Sequence, residues 1–215
     1  MDAYAIQAKV ASLLGTPVIG WKVAIDPGGG GIAAPVFRVA DSGAQLDYVA
    51  GLALETEFGF RLAHDLPVRS RPYRRDEILT AIATVHCCFE VVHSRLASSS
   101  ARPLVENLAD GLANHAVVMG GGARPAANLD MTSTTTILDG PGRTIWNGSS
   151  QHAAGDPLAP LLAFANSGGD QLGGLRAQQL VITGTLTGLT NVNAAARYEA
   201  SIMDVGRVTV SFGKE

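Results

Sequence analysis

Residues Leu52–Leu62, LALETEFGFRL, alternate strictly between two sides. Leu52, Leu54, Thr56, Phe58, Phe60 and Leu62 fall on one; Ala53, Glu55, Glu57, Gly59 and Arg61 fall on the other. Period two with large apolar residues on one side predicts a half-buried β-strand. Glu55 and Glu57 then share a face two residues apart, where like charges repel unless solvent, a proton or a cation relieves them. Gly59, next on that face, has no side chain and leaves room for close approach. A solvated strand face accounts for E-x-E taken alone.

Around this strand the pattern predicts the following elements. Ile6, Val10, Leu13 and Leu14 recur at helical spacing, so an amphipathic helix fills the first fourteen residues and stops at Gly15 and Pro17. A short strand covers Val18–Ile25. Gly28, Gly30 and Ala33 nominally satisfy G-x-G-x-x-A after that strand. Pro35 disfavours helical geometry at Ala34, where a phosphate-binding helix has to open, so the stretch is read as a flexible loop or lid and not as a dinucleotide site. One or two short strands surround the turn Asp41-Ser42-Gly43. His64-Asp65-Leu66-Pro67 turns the chain, Arg69–Arg75 is a solvated basic loop, and a helix runs from Asp76 to about Val85. Cys87–Leu96 is an apolar strand, Leu104–Ala113 holds a short helix, Val117–Met119 a strand and Gly120–Gly122 a turn. A hairpin is predicted within Met131–Ile145 around Asp139-Gly140-Pro141-Gly142. A helix follows over Pro157–Ala165, then strands at Leu180–Thr187, Ala196–Met203 and Arg207–Phe212.

Two residues interrupt this pattern chemically. Glu90 lies alone in the apolar run CCFEVVHSRL, and a buried carboxylate is costly unless paired or bound to a metal. Pairing with Arg95 or another base is the simple explanation; beside Glu55 and Glu57, a metal ligand is the better one. Lys22, in GWKVAI, either snorkels at a sheet edge or points into a site as a cation or proton carrier. His64, His86, His115 and His152 lack ligand spacing and read as surface or core residues.

Composition narrows the picture. Of 215 residues, 47% are hydrophobic and only 16% charged, below the roughly 25% usual for soluble domains, so a homo-oligomer is expected. One domain is expected, with an N-terminal helix over residues 1–17 and a core over about 18–215. A net charge of −3 argues against nucleic acid as a partner. No apolar run of about 18 residues argues for a membrane span, the N-terminus has no signal-peptide layout, and the adjacent Cys87 and Cys88 suit a reduced, cytoplasmic protein.

Taken together, these segments resemble the fumarylacetoacetate hydrolase superfamily, in particular its 2-oxopent-4-enoate hydratase and 4-oxalocrotonate decarboxylase branch. The resemblance runs from about Gly20 to the C-terminus. It rests on GWK (Gly20–Lys22), Glu55-x-Glu57, the HDLP turn, FEVVHSR around Glu90, ENLADGLANHAVVMG (Glu106–Gly120), GDPLAPLLAFAN (Gly155–Asn166) and TGTLTG (Thr183–Gly188). It implies an α+β fold, a mixed twisted β-roll like the C-terminal domain of that superfamily, with flanking helices. It implies a divalent cation, Mg²⁺ or Mn²⁺, held by Glu55, Glu57 and Glu90, all-oxygen ligation of the kind hard cations take. The implied substrates are small 2-oxo or 2-hydroxy-dienoic acids of aromatic meta-cleavage degradation, acted on by a hydratase or decarboxylase through a metal-stabilised enolate.

Within that resemblance Lys22 matches a lysine that binds substrate oxygens or shuttles protons, and Thr185 matches a substrate-lining position. Asp110 matches the aspartate of a stretch that reads S-D-N in the family; here it is Ala109-Asp110-Gly111, so Asp110 is either a general acid or base or a turn residue. His93 stands where an aspartate is expected. Two alternatives remain: an acylpyruvate-type C–C bond hydrolase, for which no His–Glu water-activating pair is found, and a non-catalytic partner subunit. Association with a partner enzyme of the same pathway is also open.

Overall fold

The chain opens on α1 (Ala3–Leu14), fixed at its start by the Asp2 carboxylate, which accepts from the Tyr4 and Ala5 amides at 3.0 and 3.3 Å. Gly15 closes it in a left-handed conformation. The computed structural model describes residues 2–97, 102–121, 125–167 and 171–214. The buried side of α1 is not the predicted stripe: Ala3 and Gln7 face inward, while Val10, Leu13 and Leu14 are exposed. Gln7 holds the inward place through its amide nitrogen, which donates to the Ala33 and Leu108 carbonyls at 3.2 and 2.6 Å.

β1 (Gly20–Ile25) and β2 (Gly31–Val36) form an antiparallel hairpin. The Asp26 carboxylate ties its turn by accepting from the Gly28 and Gly30 amides, both at 2.8 Å. The loop expected here is therefore a tight turn, and Pro35 lies inside a strand. That strand is at a sheet edge, where a missing N–H is tolerated. Next come β3 (Val39–Asp41), β4 (Ala44–Leu46), β5 (Ala53–Leu62), α2 (Arg75–Thr80), β6 (Ile82–Val92), α3 (Leu104–Ala109) and β7 (Asn114–Met119). The chain ends with β8 (Thr134–Gly140), β9 (Arg143–Ser150), α4 (Ala159–Asn166), β10 (Leu180–Thr185), β11 (Thr190–Asn191), β12 (Arg197–Ile202) and β13 (Gly206–Phe212). Gly122, the end of one predicted turn, lies outside the described residues.

The larger sheet has the order β2-β1-β10-β5-β6-β7-β3, with β11 also paired to β5; the smaller runs β4-β13-β12-β8-β9. Leu54, Phe58, Phe60 and Leu62 of β5 join Phe89 and Val91 of β6, Tyr198 of β12 and Val210 of β13 in one apolar core between the sheets. On the other face of the larger sheet, Val36, Cys88, Val117, Leu180 and Ile182 form a second, smaller apolar cluster. Val36 of β2 and Val117 of β7 share that cluster although their strands are far apart in sheet order, so the sheet is rolled upon itself. The polar face of β5 points into this roll. It is not half-solvated as its alternation suggested: Glu57 is fully buried, and only Glu55 and Arg61 on that face are partly exposed.

The predicted helix from Asp76 to Val85 is cut short. Ile82, Thr84 and Val85 instead pair with Leu62, Arg61 and Phe60 of β5. β-branched side chains suit that pleated surface better than a helix, and long-range pairing overrides the local pattern. The basic loop before α2 is also anchored, with Arg69 2.8 Å from Glu77 and Arg75 paired to Asp156. Among the described residues no helix is long and apolar enough to cross a membrane.

Candidate metal centre

Antiparallel register brings the carboxylates together. Glu55 of β5 stands directly opposite Glu90 of β6, and Glu57, opposite Cys88, is its diagonal neighbour on the same face. Each of the three offers a carboxylate oxygen, and these oxygens all lie within 4.8 Å of one another. Lys22 reaches in from β1: its Nζ is 2.8 Å from Glu90 Oε2 and 4.0 Å from Glu55 Oε2, and it donates to the Leu112 carbonyl at 3.0 Å. Glu90 thus has Lys22 as its base and not Arg95, which pairs with Asp110. Lys22 points into a site and does not snorkel.

Two neutral donors orient the acids. Asn114 Nδ2 donates to Glu90 Oε1 at 2.8 Å, and the Gly184 amide donates to Glu57 Oε2 at 2.7 Å. Thr185 aligns with Glu57 across an irregularity between β10 and β5, and its hydroxyl donates to the Gly188 carbonyl at 3.3 Å, shaping the loop beside the site. Asp110 is engaged elsewhere: its carboxylate accepts from the Ser94 hydroxyl at 2.8 Å and the Arg95 amide at 3.2 Å. Glu55, Glu57, Glu90 and Lys22 are therefore assembled at one point, Thr185 flanks them, and Asp110 belongs to a neighbouring turn.

The electrostatics of this cluster are one-sided. Burial raises Glu55 to about 7, with the Glu90 charge adding to the rise and Lys22 opposing it. Burial pushes Glu57 well above the ordinary carboxylate range, again helped by Glu90. Burial alone pulls Lys22 down, but Glu90, Glu57 and Glu55 together outweigh it and hold the ammonium above its usual value. Three acids face one lysine, and the buried Glu57 Oε1 has no hydrogen-bond partner. A divalent cation supplies both the missing positive charge and the missing partner, so this donor set fits a hard metal ion.

A stability test follows. Between about pH 4.5 and 7, metal-free folded protein holds a proton on Glu55 that the unfolded chain has released, so unfolding releases that proton. This contribution makes metal-free stability fall as pH rises through that window. Urea denaturation across the window, with and without saturating Mg²⁺, is expected to show the fall only without metal.

Asn114, the Gly184 amide and the Leu112 carbonyl are absent from the residues singled out by sequence. Asn114 sits in a recognisable stretch with no feature marking it, and backbone groups leave no side-chain signal. A groove of about 630 Å³ lies on the other side of Asn114, between α1 and α3, lined by Ile6, Val10, Leu14, Phe37 and Arg95 among others. None of the three carboxylates lines it.

No protein-family model matches the chain. The structure superposes on 4-oxalocrotonate decarboxylase from Pseudomonas putida G7, complexed with magnesium and adipate, with a TM-score of 0.83 over 98% of this chain and 85% of that one at 17% identity. It also superposes on fumarylpyruvate hydrolase from Pseudomonas aeruginosa, in complex with Mn²⁺ and pyruvate, with a TM-score of 0.61 over 91% and 89% at 15% identity. The chain thus has the α+β fold of these two proteins.

In sequence it is similar to two hydratases. It is 27% identical to 2-keto-4-pentenoate hydratase of Paraburkholderia xenovorans (strain LB400), over 74% of this chain and 58% of that protein. It is 25% identical to 2-hydroxyhexa-2,4-dienoate hydratase of Comamonas testosteroni, over 74% and 59%. The aligned region therefore spans just under three fifths of each of these relatives.

Proposed function

We propose that the chain is a divalent-metal-dependent lyase, a hydratase or decarboxylase of small 2-oxo or 2-hydroxy-dienoic acids, built as one catalytic domain. The observation that carries this reading is the gathering of Glu55, Glu57 and Glu90 inside the roll, with Lys22 against them. Those three acids would hold Mg²⁺ or Mn²⁺, which acts when bound as a Lewis acid toward oxygen charge on a 2-oxo acid. The relatives' names support the substrate class, and the magnesium and manganese in the superposed structures support the metal.

The chain's own groups divide the remaining work. Lys22, with its Nζ against Glu90 and the Leu112 carbonyl, offers an ammonium that binds a substrate oxygen or passes it a proton. Asn114 and the Gly184 amide fix the carboxylates in place, so little reorganisation is needed as charge develops. Thr185 lines the approach beside Glu57. Asp110, bound to Ser94 and Arg95, supports the neighbouring turn. A homo-oligomeric, cytoplasmic enzyme is the setting in which the low charge content and free thiols make sense.

Assays of the Mg²⁺-loaded protein separate the reactions. Loss of dienoate absorbance from 2-hydroxypenta-2,4-dienoate, with formation of a hydroxy ketone acid, identifies the hydratase. CO₂ release from 4-oxalocrotonate identifies the decarboxylase. Metal binding with neither turnover favours the non-catalytic reading, to which Ala109 and Gly111 give some support.

A further inference from the structure

We infer that Arg95 is a positioning residue: it braces the left-handed segment Gly111–Ala113 and thereby holds Leu112 against Lys22 and Asn114 against Glu90. Gly111, Leu112 and Ala113 have φ of 68°, 52° and 59°. For Leu112 and Ala113 this is backbone that side-chain-bearing residues rarely adopt, and it persists only where the surroundings dictate it. Within the segment the His93 amide donates to the Ala113 carbonyl at 2.8 Å, and one guanidinium ties together the residues on either side of it. Arg95 Nη1 donates to the Asp110 carbonyl at 2.8 Å, and Nη2 donates to the Asn114 carbonyl. Asp110 and Asn114 are the two residues that flank the left-handed segment.

The brace is closed from the other side. The Asp110 carboxylate accepts from the Ser94 hydroxyl and the Arg95 amide, so strand end and turn grip each other in both directions. Two contacts to the metal centre leave this braced turn: the Leu112 carbonyl accepts from Lys22 Nζ, and the Asn114 side chain donates to Glu90 Oε1. Loosening the turn therefore frees the lysine and one ligand together. The Arg95–Asp110 ion pair itself, at 3.4 Å with a half-exposed guanidinium, contributes little; the two carbonyl contacts are what matter. Lysine has no rigid fork and cannot bridge both carbonyls in this way.

The inference rests on the proposed function only for its metal readout, so the test has a second readout that needs no metal. Arg95→Ala and Arg95→Lys are compared with wild type by amide exchange of the Asn114 side-chain NH₂ group in metal-free protein, and by calorimetric Mg²⁺ titration. In Arg95→Ala the NH₂ group is expected to lose its protection and Mg²⁺ affinity to fall roughly 10–100-fold, the usual effect of removing a ligand's orienting contacts. Millimolar guanidinium, but not methylammonium, should restore both, because the half-exposed side chain leaves a reachable vacancy. Arg95→Lys should behave like Arg95→Ala.

Wild-type Asn114 protection and Mg²⁺ affinity in Arg95→Ala, even with a lowered melting temperature, would overturn the inference. Should Arg95→Ala not fold, wild-type values in Arg95→Lys overturn it equally. A wild-type protein that binds no Mg²⁺ defeats the proposed function instead, and the metal-free Asn114 readout still decides the role of Arg95.

Discussion

Glu57→Gln is expected to remove Mg²⁺ binding while leaving a protein that is more stable than wild type without metal. The glutamine oxygen can keep the hydrogen bond from the Gly184 amide. Its NH₂ group takes the place of Oε1, which has no partner, and faces the neighbouring carboxylates as a donor. A buried carboxyl that burial and Glu90 push well above its ordinary range is thereby replaced by a neutral group. Metal-free stability at pH 8 should rise by about 1 kcal/mol, the usual size of such a gain when a functional group is neutralised. Mg²⁺ affinity should fall by more than the roughly 100-fold that loss of an orienting partner costs. Glu55→Gln and Glu90→Gln should share the loss of binding. Urea denaturation and calorimetry on the same samples check both parts; unchanged affinity in all three variants would remove the site assignment.

Lys22→Met has the largest expected effect on the fold. Glu90 is fully buried, and Lys22 Nζ, at 2.8 Å, is the only cation paired with it among the described residues. Removing one partner of a buried pair typically costs about 3–5 kcal/mol because a charge is left uncompensated. That loss should appear in metal-free protein at pH 8 and shrink on addition of saturating Mg²⁺, which replaces the missing positive charge. Turnover should be lost under both conditions, because the proton at Nζ is gone. A melting temperature equally low with and without Mg²⁺ would mean that the cation and Lys22 do not share a carboxylate.

Much of the site was legible because its acids break local patterns. Period two placed Glu55 and Glu57 on one face, and Glu90 stood out as a lone acid in an apolar run. What no local pattern contains is the register that sets Glu90 opposite Glu55, since it joins residues 35 positions apart. The resemblance to a known fold supplied that link. The same non-locality explains the errors: Ile82–Val85 read as helix until β5 was there to pair with, and α1 turned Gln7 inward because two distant carbonyls needed a donor. The polar face of β5 read as solvated because alternation reports two faces and cannot report that a sheet rolls over one of them. Asn114, Leu112 and Gly184 were unreadable for a different reason. Two act through the backbone, and the third is an ordinary asparagine until its turn is braced.

The measurement that bears most directly on the metal centre is calorimetric titration of Mg²⁺ into chelator-stripped protein, followed by oxalate as a chelating mimic of a 2-oxo acid. Mg²⁺ binding is expected to be saturable and to be lost in Glu57→Gln, with oxalate binding only after metal is present. Oxalate binding of equal strength without metal, or no Mg²⁺ binding at all, would leave the three carboxylates as a structural cluster neutralised by protons and Lys22.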